Sequence, residues 1–339
     1  MRALRLHGPG DLRLEEVPAP TGDTTTAIVS VEACGVCGSD IHFVEGSART
    51  GHVPITLGHE IAGTVVDAPP DTVEPGTAVV AEVGKFCAAC PRCIEGRHNL
   101  CERASVLGIN VDGGFADQVA VPLESLHERP GGVSPVTAAT AVDAGATALH
   151  AIRRRASVAS GESVLIIGIG GLGTYGLQFA RDAGAGAVLA ADTDPEALER
   201  AASLGADDTV LVEPGDSLGR RIKLLTDGGV DAAVEFVGAA ATVDAAVKSI
   251  RPGGRAVVVG VGLEPLTTLP PVLWSNHEYT LTGSYGSLPG DAAEVLDLLA
   301  TGAISPPPTR TVDLADAPDA ITSLAAGKRS GGRRLIVTP

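Results

Sequence analysis

Four cysteines crowd into fifteen residues as Cys87-x2-Cys90-x2-Cys93-x7-Cys101. Four thiolates on one short loop suit a tetrahedral zinc site, the metal replacing a hydrophobic core the loop is too short to build. Four ligands fill the shell and leave no position for a reactant, so this site is structural. An iron–sulfur cluster is a rival, because bacterial ferredoxins also begin Cys-x2-Cys-x2-Cys, but they continue with x3-Cys-Pro rather than x7. A zinc ribbon that grips nucleic acid is a second rival. A net charge of −16 opposes it, since phosphate binding wants a basic face. The other two cysteines, Cys34 and Cys37, also form a Cys-x2-Cys pair. No βαβ pattern surrounds them as a redox dithiol would require, and Cys34 is expected to pack as a small apolar residue.

A second constellation is Gly168-Ile-Gly170-Gly171-Leu172-Gly173, which follows the apolar run Val164-Leu-Ile-Ile167 and opens a helical stretch. Alone, such a triplet of glycines is a weak signal; strand before, helix after and an acidic residue at the right distance make it strong. Gly168 allows the tight turn, Gly170 lets backbone approach a pyrophosphate, and Gly173 lets helix pack on strand. The helix N-terminus offers unpaired N–H groups and a positive dipole end to the phosphates. Asp192 stands 19 residues after Gly173, where its carboxylate can take the hydroxyls of an adenosine ribose. The stretch Thr193-Asp194-Pro195-Glu196 reads as a helix start. The pattern predicts NAD.

Two kinds of architecture must position these groups. Up to about residue 130 the chain reads as short strands broken by glycine and proline, among them 27–31, 61–66, 77–83 and 115–121, an irregular and mostly antiparallel pattern. A helical stretch over 137–159 leads into alternation. Strands are expected at 163–167, 187–192, 208–212, 231–237, 255–260 and 280–285, with helices at 172–183, 195–204, 218–226 and 240–250. That alternation predicts an α/β fold with a doubly wound (Rossmann) parallel sheet. Two more helices, near 291–300 and 318–326, precede a last strand over 334–338. The nucleotide-type domain, 146–285, is thus expected to be inserted into a mostly β domain made of 1–145 and 286–339, with the cysteine lobe at 84–103.

Hydrophobic residues at 44% and charged residues at 19% of 339 fit an ordered globular protein with a buried core. No apolar run reaches the roughly 20 residues of a membrane helix, and residues 1–11 lack the apolar centre of a secretory signal. The expected location is cytoplasmic, with neither nucleic acid nor membrane as partner.

Taken together, the motifs resemble a known family, the zinc-containing medium-chain alcohol dehydrogenases. The landmarks are Cys37-Gly-Ser39-Asp40-Ile-His42, Gly58-His59-Glu60, the four-cysteine lobe, Asp143-Ala-Gly-Ala-Thr147 and the glycine loop, in the family's order. The resemblance covers essentially the whole chain and points to bacterial enzymes acting on secondary alcohols, polyols and diols. It implies that the mostly β domain is GroES-like. By the same resemblance Cys37, His59 and Asp143 hold a catalytic zinc, three protein ligands leaving a fourth position open. Asp143 stands where the best-known members carry cysteine. Glu60 is an alternative or transient ligand, and Asp40 an acceptor that fixes the His59 tautomer.

The implied chemistry is Lewis-acid oxidation of an alcohol, or reduction of the ketone. Ser39 accepts the hydroxyl proton and passes it through the nicotinamide ribose to His42. Thr147 and Leu172 pack on the nicotinamide. Gly38 stands where some relatives carry a basic residue for the pyrophosphate, and Arg334 is expected to supply that contact instead. A zinc-free quinone or enoyl reductase of the same fold is the competing enzyme, opposed by the presence of Cys37, His59 and Asp143. A zinc-ribbon binding module is the competitor from another class. Pocket walls are expected from 83–86, 110–113 and the region of Trp274, and the family implies a homotetramer or homodimer.

Overall fold

The computed structural model describes residues 1–82, 84–266, 269–327 and 334–339. The chain forms two compact units, Met1–Ala146 with Ser287–Pro339, and Thr147–Gly286.

In the first unit, strand Thr26–Gly35 is the hub of a seven-stranded sheet. It pairs antiparallel with Glu60–Asp67, Gln118–Pro122 and the closing strand Arg334–Thr338. Val29, Ile61, Phe115 and Val337 are buried together in one core cluster. Strand Ala78–Ala81 extends the sheet through Glu60–Asp67. The expected strand over 77–83 is shorter than its apolar run, and Val83 lies outside the described residues. The hairpin of Arg2–Gly8 with Asp11–Glu16 had no sequence signal of its own beyond the turn at Gly10.

The helical stretch is not one regular helix. Helix Pro135–Thr140 starts at Ser134, whose hydroxyl oxygen accepts the Thr137 N–H at 3.1 Å. It then widens into a π-helical turn over Ala141–Gly145, where the Ala146 N–H donates to the Ala141 carbonyl. Such a turn holds one residue more than an α-helical one and recurs at functional sites. The small residues of this run allow close packing: a Cβ on Gly145 would stand 2.7 Å from Val295 of helix Asp291–Ala300.

In the second unit six strands form an all-parallel sheet in the order Asp208–Leu211, Ala187–Asp192, Ser163–Ile167, Val230–Glu235, Ile250–Val258, Thr280–Gly283. The chain reverses its winding between Ser163–Ile167 and Val230–Glu235, and a sheet of this kind binds ligands at that switch, beyond the carboxyl ends of the strands. Strand Val230–Glu235 stops two residues earlier than its apolar run because the Glu235 side chain captures the next N–H groups. Strand Ile250–Val258 starts five residues early, its first residues pairing at a bulge with Val230. Helix Pro271–His277 was not anticipated, although Pro271 at its first position was a usable signal. Trp274 on that helix packs against the second unit's core, its indole N–H donating to Leu269 at 3.0 Å. Its side chain is therefore committed to packing. Among the described residues no helix is long and apolar enough to cross a membrane.

Candidate active site and metal centres

Cys37 is the N-cap of helix Gly38–Glu45, where the Asp40 carboxylate accepts its N–H at 2.9 Å. The turn fixes the thiol at the end of the hub strand. His59 is delivered from the facing strand by Gly58, whose φ of 94° suits glycine. A Cβ there would stand 2.7 Å from the Phe115 ring and 2.8 Å from the Cys34 sulfur. Cys34 is fully buried in that contact, and burial pushes its thiol well up, which makes it a packing residue rather than a redox partner.

These elements and the π-helical turn bring four donors together. One ligand atom from each of Cys37, His59, Glu60 and Asp143 lies within 4.8 Å of the others. The Cys37 sulfur is 3.2 Å from Asp143 Oδ2, and His59 Nε2 is 3.8 Å from the same oxygen. On the far side of the ring, His59 Nδ1 and Asp40 Oδ1 are both buried without a hydrogen-bond partner among the described residues and face each other at 3.7 Å. Burial pulls the His59 pKa down, but Asp40, Asp143 and Cys37 outweigh it and the net shift is well upward. Burial raises the Cys37 thiol, with Asp143 adding to the effect. A cluster of anionic donors that lifts a neighbouring imidazole and holds back its own thiolate is suited to a divalent cation. A sulfur, an imidazole and carboxylates suit zinc.

Glu60, the fourth member of this cluster, is fully buried, and both its carboxylate oxygens accept from Arg334 Nη2. Burial lifts the Glu60 pKa to about 7 against the pull of Arg334. Arg334 therefore serves Glu60 in this structure, a pairing the sequence did not suggest. Ser39 Oγ lies 3.4 Å from His59 Nε2, at the donor cluster. His42 turns its Nδ1 to Ser47 Oγ at 3.1 Å, and among the described residues no hydrogen bond joins Ser39 to His42.

The four-cysteine lobe is closed by the two-residue strands Gly84–Lys85 and Ser105–Val106. Cys90 caps the one-turn helix Pro91–Ile94, which carries Cys93. Sulfur–sulfur distances are 3.4 Å for Cys87–Cys101 and 4.0 Å for both Cys87–Cys93 and Cys90–Cys101. Tetrahedral sulfurs about 2.3 Å from a zinc stand about 3.8 Å apart, so the lobe is already the size of a filled zinc shell. The backbone N–H groups of Ala89 and Cys90 help hold the Cys87 thiol down to about 6, as a thiolate ligand requires. Arg103, which sequence reasoning passed over, adds its guanidinium at 3.5 Å from Cys87 and its N–H at 3.4 Å from Cys101.

In the second unit Gly170 caps helix Gly171–Asp182, so Leu172 and Gly173 sit in its first turn. Asp192 ends the neighbouring strand. Its carboxylate accepts the Ile169 N–H of the glycine loop at 2.6 Å and the Asp194 N–H at 2.9 Å. Asp194 in turn caps helix Pro195–Ser203, as its sequence predicted. Thr147 is buried in the same unit.

Residues 23–131 match the model of the alcohol dehydrogenase GroES-like domain, and residues 171–301 that of the zinc-binding dehydrogenases. An NAD-dependent alcohol dehydrogenase of Sulfurisphaera tokodaii is 31% identical over 99% of this chain and 100% of its own. The chain belongs to the zinc-dependent medium-chain alcohol dehydrogenases. A sorbitol dehydrogenase of Bacillus subtilis is 32% identical over 77% of this chain and 75% of its own. A Sinorhizobium meliloti chain assigned to the zinc-binding dehydrogenases, solved bound to NADP, superposes with a TM-score of 0.91 at 32% identity, covering 100% and 99% of the two chains. This dehydrogenase is accordingly an oxidoreductase of alcohols that uses zinc and a nicotinamide cofactor, and its fold is the GroES-like and Rossmann pair the sequence predicted.

Proposed function

We propose that this dehydrogenase moves a hydride between a secondary alcohol or polyol and NAD, the ketone being the oxidised partner. The observation that carries the reading is the cluster of Cys37, His59, Glu60 and Asp143, since a zinc-free reductase has no use for it. Cys37, His59 and Asp143 hold the catalytic zinc, with Glu60 in reserve. Cys87, Cys90, Cys93 and Cys101 hold the structural one. A zinc ion held by Cys37, His59 and Asp143 would supply a Lewis acid that polarises the alcohol oxygen and favours loss of its proton. Asp40 acts on His59 through charge: its Oδ1 stands 3.7 Å from Nδ1, too far for a hydrogen bond, and favours the proton on that nitrogen, so that Nε2 faces the donors. Ser39, beside His59 Nε2, receives the proton and passes it through the nicotinamide ribose to His42 on the same helix, since Ser39 and His42 share no direct hydrogen bond. Gly168, Gly170, Gly171 and Gly173 would take the pyrophosphate, while Thr147 and Leu172 would pack on the nicotinamide. Arg334 can serve the pyrophosphate only by sharing its guanidinium with Glu60.

We further place the enzyme in the cytoplasm, where six free cysteines and a thiolate-rich metal centre persist. The family resemblance implies a homotetramer or homodimer, which light scattering on the purified protein decides.

The decisive experiment combines metal analysis with turnover. Two zincs per chain are expected, and graded chelation should remove one of them, together with alcohol-dependent NADH formation, well before the other. A single zinc, or iron with visible absorbance, overturns the assignment.

Cofactor choice rests on Asp192. In NAD its carboxylate can accept from the ribose hydroxyls; in NADP it faces a phosphate of about −1.5 to −2 charges. Like charges brought together in a site cost several kcal/mol, so NAD should be preferred by at least about a hundredfold in kcat/KM. Asp192→Ala should weaken NAD use and relax the bias without making NADP a good cofactor. Equal or better use of NADP by the wild type, as the bound cofactor of the Sinorhizobium meliloti relative invites one to check, would sink this.

A further inference from the structure

Strand Val230–Glu235 ends, like strand Ala187–Asp192, on a carboxylate, but the two acids differ sharply in surroundings. Glu235 is fully buried. Its Oε1 alone accepts three hydrogen bonds, from the Val237 N–H at 2.7 Å, the Gly238 N–H at 2.8 Å and the Thr242 hydroxyl at 2.8 Å. Its Oε2 is buried with no partner among the described residues. A buried acid that satisfies two consecutive N–H groups fixes the backbone of the loop it bends toward.

That loop has a particular neighbour. Glu235 is in register with Ile167, the residue immediately before the glycine loop, so the two strands end side by side at the switch point. The Phe236 N–H donates to the Ile167 carbonyl at 2.9 Å, tying the two loops together. Gly168, the first glycine, has a φ of 86°, and a Cβ on it would stand 2.6 Å from Val237 Cγ2. The Val237 side chain thus touches the phosphate loop. It is nevertheless 48% exposed, an apolar surface left open beside the carboxyl ends of the strands where this kind of sheet binds its dinucleotide.

We propose that Glu235 is a positioning residue for the cofactor: by holding the Val237 and Gly238 N–H groups and the Thr242 hydroxyl, it keeps Val237 against Gly168 as the apolar wall on which the dinucleotide packs. The inference rests on the glycine loop binding NAD, as proposed above. Asp192 selects the cofactor by charge, whereas Glu235 acts through backbone placement and never touches it.

The test uses the full-length enzyme with both zincs, NADH fluorescence for affinity, and steady-state kinetics. Glu235→Ala should weaken NADH binding about tenfold and raise KM for NAD in step, with KM for the alcohol unchanged. Glu235→Gln, which keeps an acceptor oxygen for the three donors, should stay within about threefold of wild type. Val237→Ala trims a half-exposed side chain and leaves the hydrogen bonds of Glu235 in place, and should weaken NADH about threefold with little change in melting temperature. If Glu235→Ala does not fold, Glu235→Gln and Val237→Ala still decide. Wild-type NADH affinity in Val237→Ala, or a Glu235→Ala enzyme that loses only thermal stability, overturns the proposal. Failure of the wild type to bind NADH would instead strike the reading of the glycine loop.

Discussion

Asp143→Ala is expected to lower kcat/KM for alcohol oxidation by about a thousandfold or more while leaving NADH affinity unchanged. Polarisation by a metal is worth several kcal/mol of transition-state stabilisation, and about 4 kcal/mol corresponds to three orders of magnitude. Asp143 Oδ2 lies 3.2 Å from the Cys37 sulfur and 3.8 Å from His59 Nε2, so removing it takes one corner from the donor cluster. Asp192 and the glycine loop belong to the other unit. The variant should therefore hold about one zinc, enhance NADH fluorescence as before, and turn over almost no alcohol. Asp143→Cys, which restores the ligand most familiar in the family, should recover metal content. If Asp143→Ala keeps full zinc content and near-normal turnover, the third ligand lies elsewhere, and Glu60, the fourth member of the cluster, replaces it.

The second large effect concerns stability. Arg334→Leu should destabilise the first unit by about 3–5 kcal/mol, because breaking a buried pair strands the remaining charge. Glu60 is fully buried and takes both its hydrogen bonds from this one guanidinium. The double variant Glu60→Gln with Arg334→Leu should recover a substantial part of the loss, since the stranded carboxylate is then gone. Thermal unfolding of the wild type, both singles and the double measures the coupling. If the two single losses simply add, the ion pair is not what holds this part of the site together.

Much of the site could be read from the chain because its spacing is local. The lobe spans 87–101, and the glycine loop needs only the strand before it and the helix after. The parallel sheet could be read because its central strands are apolar runs alternating with helices, and one misjudged end lies where a side chain rather than periodicity terminates pairing, at Glu235. Pairings across long sequence distances left no trace. Glu60 and Arg334 are far apart in the chain, and only the antiparallel meeting of Thr26–Gly35 with Arg334–Thr338 brings them together. Arg103 was invisible for another reason: a cation near cysteines is unremarkable until its donor distance to a sulfur is known. The widened turn at Ala141–Gly145 was also illegible, for alanine and glycine spell an α-helix and a π-helical turn equally well.

That turn sets how this centre can change by descent. Its surplus residue is the length of a single codon. Deleting Val142 would let the same helix close with ordinary bonds, yet the residues on either side of the gap would be offset by about 100° around the axis and about 1.5 Å along it. An insertion or deletion here would therefore move Asp143 toward or away from the donor cluster while leaving the aspartate codon itself untouched. Comparing relatives at this position then means counting residues between Ser134, which caps the helix, and Asp143, and not only asking which side chain occupies the site.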